Sequence, residues 1–430
     1  MSGVFPIGMG GVVGFGKLPA IIQGSLLSIF GWSLLGSTLI SISFVLLALI
    51  LLTDMCRRLG YSSGFTFCFI AFVGLTESFV AASQKTRYEF LALFLLSLAL
   101  WLTARRHVTL AIFVAALAAE AEPAAIVVPC AVLTAILVQD INDRRQGRPY
   151  LGLGIFARIL LGALPALGIY LLLHPHTISI IRSADWRPIQ NAAFPGGFVL
   201  SYYFHLKRHL PEFAVLITAI VVCFIHKRFL LVQWPALCII TIVVVSALLR
   251  WPNPPYFCFI SPFLGLFILQ TFYTEQLRNW LLAGIFLLTL PQYVYRYYYW
   301  ASRHAGFSQQ EENQVNAAIN RTAVLLGKSP EQLKIIGNFN LWFAHPNGFI
   351  NLAKGDATNT MLNSADLLLC FDQAIDPILE RAISLELTCH DLDRIPYRMG
   401  ETLDLHGNQV HLRIPNHSTL SQTIPSVGSQ

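Results

Sequence analysis

Residues 33–53 read SLLGSTLISISFVLLALILLT, twenty-one positions without a charge. A helix needs roughly 20 apolar residues to cross the hydrocarbon core of a bilayer, whereas runs of 10–14 suit the core of a soluble protein. The run stops at Asp54-Met55-Cys56-Arg57-Arg58, where charge returns at the depth expected of a membrane surface. Working outward, comparable runs recur at 64–82, 88–103, 153–173, 211–225, 229–249, 256–272 and 277–295. A longer one, 108–138, is interrupted by Glu120, Glu122 and Pro123 and reads as a tight hairpin of two short helices. About ten crossings result.

Composition agrees. Of the 430 residues 55% are apolar and only 12% are charged, with a mean hydropathy of +0.59, where a soluble domain is about 25% charged. So little charge excludes a soluble enzyme, a disordered chain and a secreted disulfide scaffold. Six of the eight cysteines, Cys56, Cys68, Cys130, Cys223, Cys238 and Cys258, fall in or beside apolar runs, where a thiol acts as a small hydrophobe.

Orientation follows from the short loops. Those with Arg57 and Arg58, with Arg105 and Arg106, with Arg144, Arg145 and Arg148, and with Lys227 and Arg228 alternate with loops poorer in basic residues. They are therefore expected on the cytoplasmic side. Residues 84–87, the 120–123 tip, 174–210, 250–255 and everything after Trp300 then face outward. By the same parity residues 1–32 form an outward loop leading to an interfacial helix near 20–30, ahead of a transmembrane domain over 33–300. No basic residue precedes Lys17, so the N-terminus has no charged region of a signal peptide.

After Arg303 the pattern changes. Residues 308–326 have helical spacing, and short strand-like runs follow at 333–336, 367–371, 402–405 and 410–414, the last two flanking His406-Gly407-Asn408. This reads as a small extracytoplasmic α/β domain over 301–416, with a polar tail over 417–430. Cys370 and Cys389 both lie in it, and the sequence leaves open whether they pair or remain two buried thiols.

Charges near the membrane on the outward side are the informative ones, because lipid makes them costly. Lys85, Arg87 and Glu89 cluster at the first outward turn; Asp185, Arg187, Lys207 and Arg208 lie in the second loop; Arg250 precedes Trp251 and Pro252 in the third. Basic residues beside aromatics at headgroup depth suit the phosphate of a lipid carrier. Glu120 and Glu122 read as solvated turn residues. His345, His390, His406 and His411 have no zinc-site spacing, and no phosphate-binding loop, HExxH or GxSxG is present, so no metal site and no cofactor are expected, though the sequence leaves a divalent metal open.

The apolar helix ending in Asp54-Met55-Cys56-Arg57-Arg58-Leu59-Gly60, the turn Lys85-Thr86-Arg87-Tyr88-Glu89 opening a Leu-rich helix, and the Pro-containing hairpin 118–129 resemble the GT-C type membrane glycosyltransferases. The nearer likeness is to the branch of the protein O-mannosyltransferases and the lipid A aminoarabinose transferase. It covers the chain to about Trp300 and lies in pattern more than in any one motif. The resemblance implies transfer of a sugar from a polyprenyl-phosphate carrier to a lipid, glycan or protein acceptor on the outer side, in the inner membrane if the cell is bacterial, with no nucleic-acid partner. It also implies an acidic residue in the first outer loop. Here residues 1–32 hold neither Asp nor Glu and the family's first helix is missing. A start upstream of Met1 would supply both; otherwise Glu89 is the candidate acid. Two other classes remain: a noncatalytic sugar-lipid binding or scaffold subunit, and a transporter, against which stands the lack of a visible inverted repeat.

Overall fold

Apolar runs satisfy their backbone N–H and C=O groups internally as helices, and the computed structural model is mostly helical, with a small sheet domain near its C-terminus. It describes residues 17–30, 34–76, 79–80, 89–121, 123–147, 152, 154–173, 210–226, 229–248, 258–274, 276–287, 290, 294, 309–337, 349–351, 362–372, 388–393, 395–405 and 408–416. Two compact units result: Val13–Asp185 with Gly196–Tyr297, and Tyr298–Gln430 with Met1–Val12 and Trp186–Pro195.

The first unit contains α1 (Lys17–Phe30), α2 (Leu34–Arg58), α3 (Ser63–Leu75), α4 (Glu89–Ala104), α5 (Val108–Ala121), α6 (Val127–Arg145), α7 (Gly154–Leu173), α8 (Leu210–Ile225), α9 (Phe229–Leu248) and α10 (Ser261–Phe272). Residues 278–287 are also helical. Among the described residues two helices are long and apolar enough to cross a membrane, Gly36–Arg58 within α2 and Gly154–Leu173. Others are shorter than their apolar runs. α3 ends where Thr76 turns extended and its hydroxyl bonds the Val73 carbonyl at 2.8 Å. α10 begins only at Ser261-Pro262, a proline being tolerated in the first turn of a helix. The 108–138 run is a helix pair joined by a 3-10 turn at Pro123–Ile126, but its second helix runs on to Arg145.

Helix α4 packs against α2 and α5; α5 also meets α6 and α7; α9 joins α6 to α10. Phe69, Phe90, Phe259 and Phe263 fill the interior. Two helix ends show how the turns are set. After α2, Gly60 has φ +81° and its N–H bonds the Arg57 carbonyl, while Tyr61 N–H reaches Cys56 O, both at 3.1 Å. After α4 the same pattern, Arg106 N–H to Thr103 O and His107 N–H to Leu102 O, is built on Arg106 at φ 64°, a position that usually takes glycine.

The second unit has α11 (Gln309–Leu325), β1 (Ile335–Gly337), β2 (Phe349–Asn351), β3 (Leu367–Phe371), a short α12 (Cys389–Leu392), β4 (Tyr397–Leu405) and β5 (Asn408–Pro415). The strands form one mixed sheet in the order β2-β1-β3-β5-β4. β1 is parallel to β2 and β3, whereas β5 is antiparallel to β3 and β4. The β1 strand starts two residues later than its apolar run because a turn capped by Ser329 and Gln332 precedes it, and β2 has no apolar signal long enough to read. Period-two alternation divides the sheet. Leu367, Leu369, Phe371, Val410, Leu412 and Ile414 share a core with Val315, Ala318 and Ile319 of α11. Leu368 and Cys370 join a separate core with Cys389, Leu392 and Ile395. Cys370 and Cys389 form a disulfide, with Cα atoms 5.0 Å apart. The polar tail over 417–430 lies outside the described residues.

The contact of α7 with α5 depends on a glycine. A Cβ at Gly162 would overlap the Thr109 carbonyl oxygen and lie 3.1 Å from the Ile112 Cβ, so a larger residue forces the helices apart. Gly162→Val should lower stability by about 1–3 kcal/mol, read as earlier unfolding of the detergent-purified protein. Gly168, with no atom near its Cβ position, is the control.

Candidate functional site

Glu89 is the one residue of the sequence-derived site that lies among the described residues; Lys85, Arg87, Asp185, Arg187, Lys207, Arg208 and Arg250 fall outside them. Glu89 opens α4 and is only 2% exposed. A carboxylate in the first turn suits the helix dipole. Its burial also sets it apart from a solvated terminal residue.

A second carboxylate lies at the same end of the α4–α5 pair. These helices are joined by the short turn 105–107 and pack side by side, so the start of α4 and the finish of α5 adjoin. Glu120, near the finish of α5, is 2% exposed and not the solvated turn residue that its place beside Pro123 suggests. Its Oε1 accepts the N–H groups of Lys17 at 2.8 Å and Leu18 at 3.2 Å. One carboxylate thus satisfies two of the donors that every helix leaves open at its start, and ties α1 to α5. No local pattern announces this, because the partner is about a hundred positions earlier. Glu122 lies outside the described residues.

The other end of the helices has the opposite character. Asp54 accepts from Arg58 Nε and from Trp101 Nε1, each at 2.7 Å, and Arg105 Nη2 is 3.7 Å away. Arg105 also stacks over the Trp101 ring at 3.7 Å. Arg106 pairs with Asp143 at 3.0 Å. These contacts draw the ends of α2, α4 and α6 together, with Arg57, Arg58, Arg105, Arg106, Arg144 and Arg145 all carried there. Three loops that the sequence places on one side of a membrane therefore share one end of the unit. Since α4 has 16 residues, its two ends lie about 24 Å apart.

No family model matches this chain, and neither a curated protein nor a solved structure does.

Within the second unit, the sheet face away from α11 has a polar corner. Arg413 Nη1 donates to the Cys389 carbonyl and to Asp393 Oδ1, both at 2.8 Å, and the guanidinium lies 4.1 Å over the Tyr397 ring. His411 Nδ1 is 3.0 Å from Thr402 Oγ1, and its Nε2 is 2.9 Å from Asp372 Oδ1. None of this is visible locally, because the residues come from α12, β4, β5 and the positions just after β3 and α12.

For Asp393, burial raises the carboxyl pKa, but the hydrogen bonds from Arg413 and Tyr397 and the charge of Arg413 outweigh it and hold the group below its ordinary value of 3.8. A folded-state pKa that is depressed gives stability present above the ordinary value and lost as pH falls through the folded one. Asp393→Asn should therefore flatten the acid limb of the second unit's pH–stability curve below about pH 4, with little pH dependence added near neutrality. An unchanged acid limb in circular dichroism would assign the acid sensitivity to other carboxylates.

Proposed function

We propose that this is a multi-pass membrane protein of about ten crossings, with its Arg-rich helix ends cytoplasmic and the Glu89 end and α/β unit facing outward. We propose further that it transfers a sugar from a polyprenyl-phosphate carrier to an acceptor at that outer face. The observation that carries the reading is Glu89: a buried carboxylate at the start of α4, two residues after Arg87 and four after Lys85, at the helix end away from the arginine clusters. The Cys370–Cys389 disulfide supports the outward placement, because such bonds persist in oxidising compartments.

The chemistry asks little of the protein. Glu89 takes the proton of the acceptor's hydroxyl as its oxygen attacks the anomeric carbon, and the bond from that carbon to the phosphate oxygen breaks. Lys85, Arg87 and Arg250 meet the negative charge that grows on the departing polyprenyl phosphate, with Arg187, Lys207 and Arg208 as further cations along the outer face. Asp185 in the same loop is suited to holding sugar hydroxyls.

Glu89→Gln preserves shape and helix start while removing the base, and should lower sugar transfer by about 100-fold or more with folding intact. Arg87→Ala and Arg250→Ala should each weaken use of the carrier lipid much more than they weaken folding. Transfer assays with polyprenyl-phosphate sugars decide. Full activity in Glu89→Gln assigns that residue to the helix start alone, and unchanged activity in both arginine variants removes the phosphate site. Donor binding without turnover in the wild type would point to a sugar-lipid binding subunit.

A further inference from the structure

The polar corner of the sheet gathers side chains that suit a metal ion. Cys370 of β3 stands opposite His411 of β5 in the antiparallel register, and Asp372, two residues after Cys370, returns to the same face. Cys389 at the start of α12 is tied to Cys370 by the disulfide. Its position is further fixed by Arg413, which holds the Cys389 carbonyl, and by Thr388, whose N–H bonds Asp391 at 3.0 Å. One ligating atom each from Asp372, Cys389 and His411 lies within 4.8 Å of the others. An ion bound at about 2.0–2.3 Å from nitrogen, oxygen and sulfur needs only a small contraction of that triangle.

The contacts of His411 sharpen the case. The Thr402 hydroxyl can accept from or donate to Nδ1; in the tautomer whose Nδ1–H donates to it, the neutral ring turns a bare Nε2 lone pair toward the Asp372 carboxylate 2.9 Å away. Two acceptors at that distance repel unless a proton or a cation lies between them. Nε2 is buried and makes no well-aligned hydrogen bond among the described residues, although Asp372 is so near. Donation from the far ring nitrogen to a fixed partner is also the usual way in which a metal-ligating histidine is oriented.

We propose that Asp372, Cys389 and His411, with Cys370 as the fourth donor, form a redox-gated site for a divalent transition metal such as zinc. The disulfide withholds both sulfurs. A dithiol or phosphine reductant breaks the S–S bond by supplying two electrons, and two protons complete the Cys370 and Cys389 thiols. The metal then binds the sulfurs as thiolates and releases those protons. A set of two sulfurs, one imidazole and one carboxylate suits a tetrahedral ion that accepts soft ligands. The site does not depend on the sugar-transfer reading.

The test uses Co²⁺ as the probe, on the full chain in detergent. The protein is reduced with a phosphine and freed of it anaerobically before titration. The expected result is one Co²⁺ per chain, with visible bands of tetrahedral intensity and a near-ultraviolet thiolate-to-cobalt band, all displaced by Zn²⁺ and absent from the oxidised protein. Cys370→Ser/Cys389→Ser should lack the thiolate band, which removes the six other cysteines as its source. Asp372→Asn and His411→Ala should each weaken binding by at least about 10–100-fold, the loss seen when even outer partners of a metal site are changed. Should His411→Ala unfold, Asp372→Asn makes the same comparison, its side chain being 52% exposed. Reduced wild-type protein without the thiolate band overturns the proposal, as does wild-type affinity in Asp372→Asn.

Discussion

The helical unit presents extensive apolar surface on its outside, and this constrains everything else about it. On α7 alone, Phe156, Leu160, Leu161, Leu164, Leu167 and Leu172 are exposed, Leu172 to 82%. Each such side chain forfeits about 1.5–3 kcal/mol if left in water. One face of α8 and the helix around Trp280 and Leu287 behave in the same way. A hydrocarbon surrounding removes that penalty, and it also removes water as a partner for backbone groups. In such a surrounding, polar side chains belong at the helix ends or in fixed pairs.

Those ends differ in kind. At one, Asp54 gathers Arg58, Trp101 and Arg105, and Arg106 meets Asp143, so several cations are held around two acids. At the other, Glu89 and Glu120 are buried carboxylates, one opening α4 and one capping α1. Positive charge accumulates on the cytoplasmic side of membrane proteins, so this asymmetry gives the proposed orientation a structural counterpart. At the proposed outer end, Arg87 and Lys85 lie two and four positions before Glu89 in sequence.

Much of this was legible from periodicity. The long runs at 33–53 and 153–173 became α2 and α7, residues 308–326 became α11, and 367–371 became β3 with the same limits. Where runs and helices part, a local polar group decides: Thr76 turns its hydroxyl back on α3, and Ser261-Pro262 delays α10. What the sequence hides is partnership across distance. Glu120 looks like a turn residue until Lys17 and Leu18 are seen donating to it. His411 matches no metal spacing because Asp372 and Cys389 reach it through strand pairing and a disulfide. The pairing of Cys370 with Cys389, left open by the sequence, follows from where β3 and α12 place them.

The central claim is that the two ends of the helical unit face opposite sides of a membrane, with the α/β unit on the side away from the arginine clusters. Single cysteines at two exposed positions, Gln146 after α6 and Gln314 on α11, can be exposed to a membrane-impermeant maleimide in intact cells and again after permeabilisation, with the parent chain as background. The account predicts that Gln314→Cys is labelled in intact cells and Gln146→Cys only once the membrane is opened. Labelling of both from the same side, or in the reverse order, would contradict it.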